Sequence, residues 1–345
     1  MPTSKRLNVA VVGATGLVGT EMLKILTDRK FPYEQVRVFA SERSAGRQVQ
    51  FNSHGLKLEK LTDDSFKNVD LAMFAAGADV SLLYGPIAAE SGALVIDKSS
   101  AWRTKENVPL VVPAVNGSDI HDNEGIIASP NCTTIPLTMV LEPLRQKVGL
   151  KRVTVSTYQA ASGAGRALVD ELEDQTEAIV AHREPEVAMT SHQLAYNVIP
   201  GGWKPQQYGY NEEELKLVYE TRKILHEPDL PLAATCVRVP VPVGHSESVF
   251  VETVVALEPD DVRGLLERAP GVVVCDDPAS RLYPTPHDVA GKDEVYVGRI
   301  RKDMSCDRGI ALWIVSDNLR KGAALNAVQI AEQAIEMGAL GAVKA

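Results

Sequence analysis

Leu7-Asn-Val-Ala-Val-Val12 runs straight into Gly13-Ala14-Thr15-Gly16-Leu17-Val18-Gly19, and the reading of this stretch decides the fold. A short apolar run that stops at a glycine predicts a buried strand. The pattern after Gly19, with Met22, Leu23, Ile25 and Leu26 on one side, predicts a helix. Glycine at such a junction allows a tight turn, close approach of a phosphate and close packing of helix on strand. The free N–H groups and partial positive charge at the start of a helix suit a pyrophosphate. The spacing is G-x-x-G-x-x-G, not the commoner G-x-G-x-x-G, and its place between a first strand and a first helix makes it a dinucleotide loop. Gly13, Thr15, Gly16, Leu17, Val18 and Gly19 are therefore candidate cofactor contacts.

Outward from this loop, residues 36–39, 69–74, 94–96 and 125–128 read as further strands, and 79–91 as a helix. Strands that alternate with helices and lack hairpin turns predict an α/β, Rossmann-like, doubly wound parallel sheet. The second strand bears on the cofactor. It ends in Ser41-Glu42-Arg43-Ser44, where Arg43 with Ser41 and Ser44 suits the 2′-phosphate of NADP. Glu42 is the alternative, because a carboxylate there could bind the ribose of NAD.

From about residue 150 the pattern becomes mixed. A β-branched strand at 153–158 precedes Ser162-Gly-Ala-Gly165 and a helix to about His182, and 247–257 is another apolar strand. Residues 293–301 and 310–316 flank the turn at Cys306–Gly309 as an antiparallel pair. An Ala-rich helix over 319–337 closes the chain. The expected organisation is a nucleotide-binding domain over 1–132 and an α+β catalytic and dimerisation domain over 133–317. A C-terminal segment, 318–345, then returns to the first domain.

The length, 345 residues, fits two domains at ~150 residues each. No apolar run approaches the ~20 residues needed to span a bilayer, and Met1–Arg6 lacks the features of a signal peptide. A formal charge of −9 without any basic run argues against nucleic acid as a partner. The four cysteines, Cys132, Cys236, Cys275 and Cys306, form no C-x-x-C pair, so neither a thiolate metal site nor a disulfide framework is expected. The expected compartment is reducing cytoplasm.

Cys132 is singled out by its surroundings. Ser129-Pro-Asn131-Cys132-Thr-Thr follows a strand and precedes an apolar helix, which places the sulfur where a helix dipole stabilises a thiolate. N–H groups of the same turn could hold an oxyanion. A nicotinamide domain with an activated cysteine implies oxidative acylation: thiolate adds to an aldehyde, hydride leaves, and a second nucleophile takes the acyl group. Among seven histidines, His245 lies in a glycine-containing loop that leads into a long strand and suits proton transfer. His54, His121, His182, His226 and His287 read as surface residues, and His192 stays undecided.

The ordered set of motifs resembles one family over nearly the whole chain. Gly-Ala-Thr-Gly-x-Val-Gly, Ala-Ser-x-Arg-Ser-Ala-Gly, Ser99-Ser-Ala-Trp-Arg103, Val111-Val-Pro-Ala-Val-Asn116 and Pro-Asn-Cys-Thr-Thr are followed by Ser156-Thr-Tyr-Gln159-Ala-Ala-Ser162-Gly163, Glu213-Glu-Leu-Lys216, Arg238 through Gly-His245 and Ser316-Asp-Asn318. This is similar to the bacterial aspartate-semialdehyde dehydrogenases. The resemblance implies NADP-dependent interconversion of 4-aspartyl phosphate with aspartate 4-semialdehyde and phosphate, on the route to lysine, threonine, methionine and diaminopimelate. It implies a thioester at Cys132, acid/base action by His245, and orientation of substrate by Gln159, with Asn131 counted in the catalytic set. It further implies Arg238 on the substrate α-carboxylate, Glu213 on the α-ammonium, and Arg103 with Lys216 on phosphate. Ser162, Gly163 and Asn318 would touch the cofactor, and the assembly would be a homodimer. Glu212 and Glu214 flank Glu213, so the register of the ammonium contact is open by one. Trp102 and Ala114 depart from the family pattern at positions given no catalytic role. Competing readings are an N-acetyl-glutamyl-phosphate reductase, a glyceraldehyde-3-phosphate dehydrogenase and a non-catalytic relative of the same fold.

Overall fold

The computed structural model describes residues 6–340; the leader reading over 1–5 and the last residues of the 318–345 segment lie outside the described residues. The chain forms two compact units, Met1–Asn131 with Ala323–Ala345, and Cys132–Gly322.

The first unit runs β1 (Leu7–Val12), α1 (Leu17–Asp28), β2 (Tyr33–Ala40), β3 (Gln48–Phe51), β4 (His54–Lys57), β5 (Glu59–Lys60), β6 (Leu71–Phe74), α2 (Ala78–Glu90), β7 (Leu94–Asp97), α3 (Pro113–Asn116) and β8 (Ile126–Ala128). Six of these strands make a parallel sheet in the order β5-β2-β1-β6-β7-β8. The strand alternation shows why the apolar runs are continuous: each face meets a layer. Val36 and Val38 of β2 with Leu71 and Met73 of β6 join the core formed with Met22, Leu23, Ile25 and Leu26 of α1. On the opposite face Phe39 and Phe74 meet Phe66, which in turn meets Tyr84 of α2. Burying each of the four large α1 side chains contributes roughly 1.5–3 kcal/mol. The C-terminal helix Leu325–Glu336 packs against α1, α3 and β7 within this unit. Asn326 fastens it, donating from Nδ2 to the Val111 carbonyl at 3.0 Å and to Ser129 Oγ at 3.1 Å.

Two local features differ from the sequence reading. A hairpin, β3–β4, lies in the first unit where no hairpin was expected. Its two turn residues are Asn52 and Ser53, and Asn52 takes φ 52°, a conformation its short amide tolerates. The closing helix also starts later than 319: Arg320–Ala324 form a π-helical turn before it. The Asp317 carboxylate accepts the N–H groups of Leu319 and Arg320 at 2.8 and 2.9 Å, and Gly322 N–H reaches back to the Asp317 carbonyl at 3.0 Å.

The second unit runs α4 (Thr134–Val148), β9 (Leu150–Gln159), α5 (Arg166–Val180), α6 (Glu212–Ile224), β10 (Leu232–Arg238), β11 (His245–Thr253), α7 (Pro259–Leu266), β12 (Val272–Val274), α8 (Pro286–Val289), β13 (Val295–Lys302) and β14 (Gly309–Ser316). Its sheet is mixed, in the order β10-β9-β11-β14-β13-β12, parallel at both outer pairs and antiparallel between. The expected 306–309 turn does join an antiparallel pair, β13 and β14. One face of this sheet packs under α4 and α6. Among the described residues no helix is long and apolar enough to cross a membrane.

Candidate active site

Strand register assembles a row of polar side chains in the second unit. Arg238 on β10 is level with Gln159 on β9. The β9–β11 pairing of Tyr158 with Ser246, continued by one residue, sets His245 opposite Gln159. The three side chains stand in one buried row at one edge of the sheet and on one face, because alternation sends Tyr158 and Phe250 out of the other face.

The loop after β9 ties this row together. Ala160 donates its N–H to His245 Nδ1 at 3.0 Å, and its carbonyl accepts from Arg238 Nη1 at 2.6 Å. With Nδ1 acting as acceptor, the neutral ring carries its proton on Nε2, which becomes the working nitrogen. Gly163 keeps that edge open. A Cβ there would stand 3.1 Å from His245 Nε2 and 3.0 Å from Arg238 Nη1. The guanidinium of Arg238 also lies over Trp203, 5.2 Å from the ring centroid. Burial lowers the Arg238 pKa, opposed chiefly by the negative charge of Glu213. An arginine has ample reserve against that shift and remains a cation.

Glu213 joins the row from α6. Its Oε1 accepts from Gln159 Nε2 at 3.0 Å, while Oε2 lies 3.3 Å from Lys216 Nζ. The neighbouring carboxylates have other work. Glu214 accepts the N–H groups of Asn211 and Cys236 at 2.9 and 3.1 Å, and Glu212 pairs with Lys216 at 2.7 Å. Of the three consecutive glutamates, Glu213 is the one that faces the row.

Cys132 is buried immediately before Thr133, the N-cap of α4. Gly322 lies against it, and a Cβ at that position would be 3.1 Å from both Cys132 Cβ and the Cys132 carbonyl oxygen. The sequence reading missed Gly322 and Trp203; for Gly322 the available signal was a glycine interrupting an Ala-rich helical pattern. Cys236 is a poor nucleophile, since burial pushes its thiol far up. Ser162 and Asn318 bond each other, with Asn318 Nδ2 donating to Ser162 Oγ at 3.0 Å. Asn318 Oδ1 takes the Gly244 N–H at 2.8 Å, so Asn318 links three loops of this unit.

In the first unit Arg103 is buried and not a surface cation. Its Nε donates to the Ser129 carbonyl at 3.0 Å and its Nη2 to the Lys98 carbonyl at 2.7 Å. Asn131 is also buried. The glycine loop is as tight as the sequence demands. Gly13 has φ 84°, and a Cβ there would be 2.8 Å from the Ala75 carbonyl oxygen. At Gly19 a Cβ would be 2.3 Å from the Gly13 carbonyl oxygen. Gly16 N–H bonds the Gly13 carbonyl at 3.1 Å and N-caps α1 with no side-chain cap, leaving the start of the helix for an anion. Thr15, Leu17 and Val18 belong to this same turn. At the end of β2 Glu42 pairs with Lys60 at 2.9 Å, whereas Arg43 is exposed beside exposed Ser41 and buried Ser44. All the histidines other than His245 are exposed, including His192.

One row behind His245 stands Glu247, fully buried, with neither carboxylate oxygen hydrogen-bonded. Burial raises its pKa well above the usual carboxylate value. An acid with a raised folded value takes up a proton on folding. Its cost is absent below the unfolded value of about 4.3 and grows as pH rises above it. Glu247→Met should therefore stabilise the protein at pH 8 by on the order of 2 kcal/mol, with less gain at pH 5. Thermal melts of both proteins at the two pH values check this, and an equal or larger gain at pH 5 would refute it.

A family model described as "Semialdehyde dehydrogenase, NAD binding domain" matches residues 8–123, and one described as "Semialdehyde dehydrogenase, dimerisation domain" matches 141–321. Aspartate-semialdehyde dehydrogenase of Bacillus subtilis is 50% identical over 339 residues, covering 94% of this chain and 96% of that protein. Among solved structures, Vibrio cholerae aspartate semialdehyde dehydrogenase II complexed with ASA superposes with TM-score 0.94 at 43% identity, over 96% of this chain and 99% of that one. The Candida albicans aspartate semialdehyde dehydrogenase with NADP superposes with TM-score 0.74 at 25% identity, over 96% and 98%.

Proposed function

Because the chain belongs to the aspartate-semialdehyde dehydrogenases, an oxidoreductase family, we propose that it interconverts aspartate 4-semialdehyde plus phosphate with 4-aspartyl phosphate through a thioester on Cys132, using NADP. The observation that carries this reading is the Arg238–Gln159–His245 row with Glu213 on its flank. A buried cation and a buried carboxylate, joined through one amide, match the α-carboxylate and α-ammonium of a free amino acid. An N-acetylated substrate would leave Glu213 without an ammonium to meet, which disfavours the reductase alternative.

In the oxidative direction the Cys132 thiolate adds to the aldehyde carbon held by Arg238 and Glu213. Gln159 and N–H groups at the start of α4 stabilise the oxygen that gains charge. His245 is the acid/base of this reading: in the tautomer with Nδ1 against the Ala160 N–H, its Nε2–H donates to the substrate oxygen and the thiolate sulfur. When bound, the nicotinamide supplies the two-electron step that makes the acyl level. Phosphate, held by Arg103 and Lys216, attacks the thioester carbon, and the C–S bond breaks to return Cys132 as thiolate.

The glycine loop fits a dinucleotide because its cradle excludes any Cβ at Gly13 and Gly19. NADP is favoured over NAD because Glu42 is engaged by Lys60 while Arg43 stays exposed; the Candida relative was solved with NADP. Lysine, threonine, methionine and diaminopimelate synthesis are the routes such a reaction feeds. Reducing cytoplasm is the compartment that goes with this reading. A homodimer through the second unit accords with the dimerisation-domain match and with exposed Tyr158 and Phe250 on its outer sheet face.

The test is absorbance growth from NADPH with aspartate semialdehyde, NADP and phosphate. The rate should saturate with phosphate, and NAD at equal concentration should serve at least about tenfold less well. A rate independent of phosphate would sink the proposal.

A further inference from the structure

We infer that Asp97 is a positioning residue for Arg103: its carboxylate ties the loop that follows β7 into one geometry and so fixes the plane of the guanidinium. This rests on the reading of Arg103 as an anion-binding residue. Asp97 is the last residue of β7, fully buried, at the carboxyl edge of the parallel sheet where ligands of this architecture bind.

Its carboxylate gathers the loop from several sides. Oδ1 accepts the Ser99 N–H at 3.1 Å, and Oδ2 accepts the Ser99 hydroxyl at 2.6 Å. Ser99 Oγ in turn accepts the Ala101 N–H at 3.1 Å, which carries the constraint two residues towards Arg103. Ser81 of α2 helps hold the Asp97 pKa down, and Ser81 Oγ accepts the Trp102 indole N–H at 3.0 Å. The loop is thus held by both its backbone and the ring next to Arg103. At its end the guanidinium bonds the Lys98 carbonyl after β7 and the Ser129 carbonyl after β8. Moving the loop moves the first of those carbonyls and the arginine together.

An all-structural account would replace Asp97 by something cheaper to bury. Burial raises its pKa, opposed by hydrogen bonding from Ser99 and Ser81 and by the charge of Arg103, so the carboxyl group sits in a dry place at a cost. What it provides in return is acceptor capacity. An amide in its place has one acceptor oxygen, and its NH2 can be met by the hydroxyls of Ser99 or Ser81 but not by the Ser99 N–H.

Asp97→Asn, Arg103→Ala and the double variant test this by steady-state kinetics with phosphate, aspartate semialdehyde and NADP varied in turn. Asp97→Asn should raise the apparent KM for phosphate about tenfold, with the other two KM values within about twofold. In the Arg103→Ala background the same change should add less than about twofold, because it acts through the arginine. If Arg103→Ala leaves the phosphate KM unchanged, the anion-binding reading fails and the inference falls with it. If Arg103→Ala raises that KM but Asp97→Asn multiplies it equally in both backgrounds, the positioning inference alone is overturned. A uniform rise in all three KM values with a lowered melting temperature also overturns it. Should Asp97→Asn fail to fold, Ser99→Ala cuts the same link and should show the same selective effect on phosphate at about threefold.

Discussion

Cys132→Ala should lower turnover by at least about 10⁴-fold while leaving NADP affinity within about twofold. The proposed reaction needs a sulfur that bonds the carbonyl carbon and later leaves, and no other group in the row can replace it. Gln159 and Arg238 do not act as nucleophiles, and His245 is held with Nδ1 against the Ala160 N–H. The remaining cysteines do not substitute. Cys236 is sealed in the sheet with its thiol pushed far up, and burial likewise raises Cys275. Alanine fits the space without a new contact, and the dinucleotide loop lies in the other compact unit, so cofactor binding provides an internal control. Stopped-flow kinetics and fluorescence titration with NADPH measure the two quantities. Residual turnover above about one part in a hundred would rule out the thioester at this residue.

Arg238→Lys should cost about 10²–10³-fold in kcat/KM for aspartate semialdehyde. The guanidinium makes three kinds of contact at once: a bond to the Ala160 carbonyl, a stack on Trp203 and an electrostatic link to Glu213. An ammonium keeps the charge but has neither the plane for Trp203 nor the fork for a carboxylate. The loss of the Ala160 bond also loosens the segment whose N–H holds His245 Nδ1. Part of the effect should therefore appear in kcat and part in KM. An unchanged kcat/KM would exclude the clamp, and the phosphate KM should hardly move.

Much of this site is legible along the chain because its chemistry is local. Gly13 and Gly19 must be glycine for steric reasons that a strand–loop–helix pattern already states, and the geometry reproduces them as Cβ collisions. The position of Cys132 at the start of a helix follows from the apolar run after Thr134. His245 stood out by its loop, yet the reason for its tautomer, a backbone N–H 85 residues earlier in the chain, did not. The hairpin at Gln48–Lys57 was missed because its turn, Asn52-Ser53, lacks the glycine that usually marks one.

By itself the sequence determined the class of each half and the glycine loop, and it nominated Cys132 and the side chains proposed for a zwitterion and a phosphate. Tertiary structure decided which of them act together. The register of β9 between β10 and β11 puts Arg238, Gln159 and His245 in one row, and a slip of one residue would send the β9 member, Gln159, to the other face. It also chose Glu213 from three consecutive glutamates, by giving Glu212 to Lys216 and Glu214 to the backbone. It buried Asp97 beneath the loop that carries Arg103 and bonded its carboxylate to Ser99. The physical reason is the same in each case. Propensity and spacing are properties of neighbours in the chain, whereas hydrogen-bond partners of buried groups are set by strands and loops that meet only after folding.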